Sequence, residues 1–287
     1  RIASTANNLT GFDKGWFSPA ALTDNLGTGQ GYTVHTPAGI TVDFVGTPGQ
    51  TDFSKPNLGR GPDGGAGWHL LGNPYPAPIH WDSLRLHGGL TGLDDALYVF
   101  KSSGAYAGAY ASYINGIGAN GGGPVLPLAQ GFFVRTSTVG GLGQLTFRNL
   151  DRLNTSLAPA FQRTAADPRP LLRLALSGPA SAGSDETVVY FENGATAAGP
   201  DAAFDAPKLA NPGARLSLAS AMVATEPLAI NGLPLAGAPV ASIPLTLNVP
   251  AAGAYQFEVL DLSNFPANAP ATLLDHQLNT RTNLRQV

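Results

Sequence analysis

The sequence contains no cysteine and one methionine among its 287 residues. The absence of cysteine excludes disulfide bonds, thiolate nucleophiles, and zinc or iron–sulfur sites with cysteine ligands. Glutamate is also scarce, since the first 150 residues have none and the rest of the chain has only Glu186, Glu192, Glu226 and Glu258. A glycosidase site made of paired carboxylates would therefore need mainly aspartates.

Charge is sparse as well. Asp, Glu, Lys and Arg together make up 12% of the residues, and the formal net charge is −3. The basic residues are scattered singly, without the run or stripe that marks a nucleic-acid-binding surface. No apolar run approaches the roughly eighteen residues that span a bilayer. We therefore expect no nucleic-acid partner and no membrane span.

Chemical motifs are missing too. The sequence has no GxSxG element, its glycine-rich loops lack the Lys-Ser/Thr of a phosphate loop, and its histidines do not show HxH or HExxH spacing. We therefore predict no catalytic residues and expect that the protein is not an enzyme.

Glycine and proline are abundant, with 36 and 24 residues. Short apolar segments, many of them alternating with polar residues, recur along the chain and are bounded by Gly, Asn or Pro, which is typical of strands joined by turns. These segments are YTVHTPAGITVDFV (32–45), WHLLG (68–72), ALYVFK (96–101), AYASYI (109–114), GFFVRT (131–136), QLTFRN (144–149), LLRLALSG (171–178), ETVVYFEN (186–193), LAING (228–232), SIPLTLNV (242–249), AYQFEVLD (254–261) and the hairpin LLDHQLNTRTNL (273–284).

The pattern predicts an all-β protein with two β-sandwich or jelly-roll-like domains. Short helical turns are expected at 18–26 and 211–222, with loops as the alternative at both places. A polar segment without periodicity interrupts the strand series. We predict an N-terminal β domain over residues 1–153, a linker over 154–170 and a C-terminal β-sandwich over 171–287.

The stretch GWHLLGNPYPAPIHWDSL (67–84) concentrates tryptophan, histidine and proline. Asn73 and Tyr75 each precede a proline, which restricts both to extended backbone and makes a stiff, kinked connection. One interpretation is a strand–turn–strand corner with its aromatic rings in the core. The other is a ligand-binding platform on which Trp68, Tyr75 and Trp81 stack against a sugar.

A calcium site is the best-supported metal hypothesis. Carboxylates cluster between residues 185 and 205, and loop carboxylates are ligands that calcium prefers. The candidate ligands are Asp185, Glu186, Asp201 and Asp205. The segment has no EF-hand spacing, and the alternative is a set of ordinary carboxylates paired with Lys208.

Several segments, taken in order, resemble β-rich modules of large secreted proteins of Bacteroidota, which often precede a type IX secretion sorting domain. They are GQGYTV (29–34), GWHLLGNPYPAPIHWD (67–82), ALYVFKSSGAYAGAYASYINGIG (96–118), LAQGFFVRTS (128–137), LTFRNLDRL (145–153), ETVVYFENGAT (186–196), FDAPKL (204–209) and LAINGLP (228–234). The Gly-Asn-Pro-Tyr-Pro element with its following Trp-Asp is the most specific of them.

The resemblance implies a secreted or cell-surface protein of a structural or adhesin-like kind, with no assigned biochemistry. Such modules generally continue past TRTNLR (280–285) into a further strand, so the C-terminal domain is expected to lack its last strand. Either the chain is a piece of a larger polypeptide, or a neighbouring copy supplies the strand and filaments form. The alternative function is a carbohydrate-binding module of a secreted polysaccharide-degrading system, with surface glycans as partners.

Overall fold

The computed structural model describes residues 2–3, 16–17, 20–21, 23–34, 43, 45–104, 107–153, 167–179, 183–212, 215–221, 226–235 and 242–286. The protein is almost entirely β, which confirms the predicted fold class. The chain divides into two compact units, residues 1–105 with 110–162 and residues 106–109 with 163–287. The finer domain boundaries at 153 and 171 stay a prediction.

The strands up to residue 153 belong to several small sheets. They are β1 (Ile2–Ala3), β2 (Trp16–Phe17), β3 (Phe53–Gly59), β4 (Trp68–Gly72), β5 (Ile79–His80), β6 (Leu90–Thr91), β7 (Leu97–Gly104), β8 (Ala107–Ile114), β9 (Ile117–Ala119), β10 (Val125–Leu126), β11 (Gly131–Arg135) and β12 (Leu142–Phe147). One short helix, α1 (Trp81–Leu86), follows β5, and a 3₁₀ turn (Asn149–Asp151) follows β12.

A five-stranded sheet and a three-stranded sheet share the core of the first unit. Their strand orders are β4-β11-β7-β8-β9 and β3-β12-β6, and two-stranded pairs β1-β2 and β5-β10 complete the set. Phe132 from the larger sheet lies edge-on to Phe147 from the smaller one, with ring centroids 6.2 Å apart. The buried core residues include Leu58, Leu71, Tyr75, Ile79, Trp81, Leu84, Leu97, Tyr113, Phe132, Val134, Leu145 and Phe147.

The second unit contains one large sheet and a hairpin. Its strands are β13 (Leu171–Ser177), β14 (Ser184–Glu192), β15 (Ala206–Pro207), β16 (Ser217–Ser220), β17 (Leu228–Pro234), β18 (Leu245–Asn248), β19 (Gln256–Ser263), β20 (Thr272–Asp275) and β21 (Thr280–Asn283).

The large sheet has seven strands in the order β18-β16-β17-β14-β13-β19, with β15 also paired to β17. The β14–β17 pair is parallel, whereas the other pairings in the sheet are antiparallel. A parallel pair needs a crossover, and here β15 and β16 lie in the connection between the two strands. One face of the sheet buries Leu174, Leu176, Leu216 and Leu218, together with Leu284 from beyond the β20–β21 hairpin.

Most predicted strand segments are confirmed, including the hairpin at 273–284, which is β20 with β21. Most of the expected hairpin at 32–45 lies outside the described residues. The alternatives of turn or loop at 211–222 were wrong for residues 217–220, which form β16. Ladder pairing with β18 over four residue pairs overrides the weak local preference of Ser-Leu-Ala-Ser. The described part of 18–26 contains no helix.

His69 on β4 is a buried ionisable side chain of the first unit. The Thr136 hydroxyl donates to Leu58 O at 2.8 Å, so at 3.2 Å it accepts a hydrogen bond from His69 Nε2. Nδ1 has no hydrogen-bond partner among the described residues, so a second proton there would be buried without an acceptor. Burial lowers the pKa of His69 from 6.5 to about 4, although the nearby Gly59 backbone opposes part of the shift.

This lowered pKa predicts acid sensitivity in a defined window. The unfolded chain takes up a proton at His69 below pH 6.5, whereas the folded chain does so only near pH 4. The free energy of unfolding should therefore fall by about 3 kcal/mol as the pH drops from 6.5 to 4. Urea unfolding across this range checks the slope. A His69→Gln variant should lose this fall in the free energy of unfolding, whereas a variant of the exposed His276, His276→Gln, should keep it. Equal slopes in all three proteins would contradict the assignment of the acid sensitivity to His69.

Candidate functional site

The Gly-Asn-Pro-Tyr-Pro element forms a corner that is organised by the side chain of Asn73. Its amide nitrogen donates to Ala77 O at 2.9 Å and to Pro127 O at 3.0 Å, while its carbonyl oxygen accepts from the Tyr75 backbone at 3.0 Å. The two flanking prolines, Pro74 and Pro76, have no N–H to donate, so the asparagine supplies the polar contacts that hold the turn. The corner leads into β5 and then into α1.

The aromatic residues near this corner are packed against protein groups. Tyr75 and Trp81 are buried, and Trp68 is half-buried. Trp81 Nε1 donates to Asp95 O at 2.8 Å, and its ring lies edge-on to Phe132. The Tyr75 hydroxyl donates to Thr51 O at 3.1 Å. Both rings are closed to a stacking ligand by the protein itself.

Trp68 is the most open of the three candidate ligand-binding residues. Its ring lies edge-on to that of Tyr98, with centroids 4.9 Å apart. The Arg135 guanidinium lies 5.4 Å from the centre of the same ring, a cation–π distance. Trp68 therefore packs against Tyr98 and Arg135 within the first unit.

The four candidate calcium ligands lie in the second unit, and hydrogen-bond donors of the protein contact them. Asp205 is buried and accepts backbone N–H groups from Asp201 and Gly232, both at 2.7 Å. Asp201 accepts from the backbone of Ala203 at 3.0 Å, so it shapes the same loop. Glu186 pairs with Arg173 at 3.1 Å. Across the part of the chain that the structure describes, no three Asp, Glu or His side chains are placed to hold a metal ion.

Asp185 forms the most deeply buried of these contacts. Its Oδ2 lies 2.6 Å from Lys208 Nζ and accepts the Leu218 backbone N–H at 2.7 Å. The pairing with Lys208 is therefore confirmed for this carboxylate. Its position on β14, opposite the core residue Leu176 of β13, could not be read from the spacing of the acidic residues.

The two end strands of the seven-stranded sheet form a candidate assembly site. Within the described residues, β18 pairs only with β16, and β19 pairs only with β13. Among the described residues, the outer backbone groups of both strands therefore have no strand beside them, and such an edge is open to pairing with another strand. Leu247 on β18 and Leu260 on β19 are exposed apolar residues on these two strands.

Apolar side chains near the same two strands are only partly covered. Leu245 on β18, and Phe257 and Val259 on β19, pack against the buried leucine core but keep part of their surface in solvent. The buried members of this core on the sheet lie on β13 and in or next to β16, one strand in from each edge. The apolar residues are therefore well covered one strand in from each edge and only partly covered on the edge strands themselves.

The sequence analysis gives an open sheet edge as one of two alternatives and does not predict which strands form it. Strand order is a tertiary property, and the alternation in SIPLTLNV and AYQFEVLD looks like that of the inner strands. One available signal was the charge of β19, where Glu258 and Asp261 are typical of edge strands.

The turn geometry predicts that Asn73 is a strong determinant of stability. Asn73→Ala removes the side-chain hydrogen bonds and leaves the carbonyl groups of Ala77 and Pro127 without these donors. The free energy of unfolding should therefore fall by about 2 kcal/mol. Urea unfolding at neutral pH measures the loss. The exposed Thr138→Ala serves as the control and should change stability by less than about 0.5 kcal/mol. Identical urea midpoints for Asn73→Ala and the parent protein would contradict this role.

Comparison with known proteins gives a family and no named relative. Neither the curated proteins nor the solved structures contain a match to this chain. No helix in the described residues is long and apolar enough to cross a membrane. One family model, described as a domain of unknown function (DUF8693), matches residues 5–287, almost the whole chain. The chain therefore belongs to the DUF8693 family.

Proposed function

We propose that this protein is a structural or adhesive protein of the cell surface or extracellular space, and that its copies assemble by pairing strands at their sheet edges. The observation that carries the proposal is the pair of open strands, β18 and β19, at opposite ends of one seven-stranded sheet. The extracellular location and the non-enzymatic role rest on the resemblance of the sequence to secreted Bacteroidota modules and on its shortage of catalytic motifs.

The two edges are different in character, which favours a head-to-tail contact. The β18 strand carries no charged residue, whereas β19 carries Glu258 and Asp261. Pairing β18 of one copy with β19 of the next would continue the sheet through both molecules. A contact between two different surfaces leaves one of each free at the ends, so it extends into a filament instead of closing as a dimer.

Side-chain burial supports the same contact. Leu245 lies at one end of the apolar face, and Phe257 and Val259 lie at the other, all partly exposed. Joining the two edges brings these residues together and removes their remaining apolar surface from water. Backbone pairing over the four residues of β18 is short, so this burial is needed to approach the roughly 1,000 Å² of a persistent interface.

The proposal predicts that charge placed on either edge blocks assembly. Leu247, 48% exposed, and Leu260, 43% exposed, each present apolar surface to solvent and can each be replaced by lysine. Each variant should raise the protein concentration needed for assembly by about tenfold or more, because a lysine on the edge opposes pairing. Sedimentation and electron microscopy of the purified chain measure this concentration and the shape of the product.

Leu278→Lys is the matched control, because Leu278 is 71% exposed in the turn between β20 and β21 and lies outside both edge strands. It should assemble like the parent protein. If the parent protein remains monomeric at high concentration, pairing between copies is wrong. An equal effect of all three lysines would instead assign the loss to net charge.

A further inference from the structure

A lysine and an aspartate meet inside the second unit, away from solvent. The side chain of Asp185 is 0% exposed and that of Lys208 is 5% exposed, and Nζ lies 2.6 Å from Oδ2. Asp185 is held on β14, and Lys208 directly follows β15. The lysine backbone is fixed as well, since its N–H donates to Pro227 O at 2.8 Å.

The ammonium group of Lys208 has few hydrogen-bond partners. Apart from the Asp185 carboxylate at 2.6 Å, Nζ has no acceptor among the described residues. A buried ammonium group that lacks well-formed hydrogen bonds is costly, and a nearby opposite charge only partly offsets the loss of hydration. Burial accordingly lowers the pKa of Lys208, and the carboxylate of Asp185 opposes that shift.

We propose that Lys208 and Asp185 become joined by an intramolecular amide bond after the chain folds. The new bond links Nζ to Cγ of the aspartate, and one Cγ–O bond breaks. Two protons of the ammonium group leave with that oxygen as one molecule of water, so the ion pair becomes a neutral amide. No oxidant, reductant or second reactant is required.

Burial provides the driving force for this condensation. In water, a carboxylate and an ammonium ion are each stabilised by hydration, which favours the separate ions over the amide. Inside the sheet that stabilisation is missing, so proton transfer from Nζ to the carboxylate gives a neutral amine beside a neutral acid. The contact of 2.6 Å allows this transfer directly between the two groups.

The fold also positions the groups for attack. Two strands fix the reactants in contact, and such positioning replaces the entropy cost of bringing two free molecules together. The Leu218 N–H on β16 donates to Oδ2 at 2.7 Å and so fixes the orientation of the carboxyl group beside Nζ. Leu218 is thus a positioning residue through its backbone, and Asp185 and Lys208 are the reacting groups.

Mass spectrometry of the denatured, full-length chain tests the proposal directly. The intact mass should be lower than the sequence mass by one water molecule. Trypsin should fail to cut after Lys208, so that residues 174–215 appear as one internally looped peptide. Further cleavage after Glu186 and Glu192 should release a branched product in which residues 174–186 remain attached to residues 193–215.

Three variants identify the reacting atoms. Asp185→Asn should lose one ammonia molecule in place of water, because the leaving group is then an amide nitrogen. Lys208→Arg should show the full sequence mass and normal cleavage after residue 208. The exposed Lys101→Arg is the control and should keep the loss of water.

The parent protein alone can overturn the proposal, whether or not the variants fold. A full sequence mass together with cleavage after Lys208 would show that the two residues form an ion pair and nothing more. Loss of water without the branched product would place the dehydration elsewhere and would equally refute the bond.

Discussion

In the large sheet of the second unit, the apolar residues on the two edge strands are less well covered than those one strand further in, and the proposed assembly depends on this difference. Leu174, Leu176, Leu216 and Leu218 are buried, whereas Leu245, Phe257 and Val259 on the outer strands remain partly in water. Exposed apolar surface and free backbone groups coincide at the same two strands. Each favours a further strand at that place, and together they favour it more than either would alone.

Polar groups inside the protein show how costly it is to bury hydrogen-bonding capacity. Asn73 uses both ends of its amide on backbone atoms, and Asp205 is matched by two backbone N–H groups. Burial lowers the pKa of His69, and only one of its ring nitrogens has a hydrogen-bond partner among the described residues. Lys208 is the exception, because its Nζ is buried with only the Asp185 carboxylate beside it. That difference is the basis for proposing a reaction at this pair and not at the other buried polar groups.

The sequence predicted strands well where apolar residues alternate between Gly, Asn and Pro, because that period matches the pleat. WHLLG became β4 residue for residue. Prediction from the sequence failed where contacts between distant residues decide the structure. The helix α1 has only six residues, which is too short for a periodic signal, and the burial of Trp81 and Leu84 holds it in place. Strand order and the parallel β14–β17 pair depend on which segments meet in space. The edge strands and the Lys208–Asp185 contact therefore needed the structure, although both residues of the contact had been singled out.

The position of the lysine–aspartate pair bears on how a filament of this protein would carry load. Tension applied between β18 and β19 passes across β16, β17, β14 and β13 in turn. One step of that path, β17 to β14, is the parallel pair, whose hydrogen bonding is slightly less stable per residue than antiparallel pairing. Lys208 follows β15, which pairs with β17, and Asp185 lies on β14, so an amide between them would tie β14 covalently to the segment that pairs with β17. The weaker step of the path would then be the one that the cross-link reinforces.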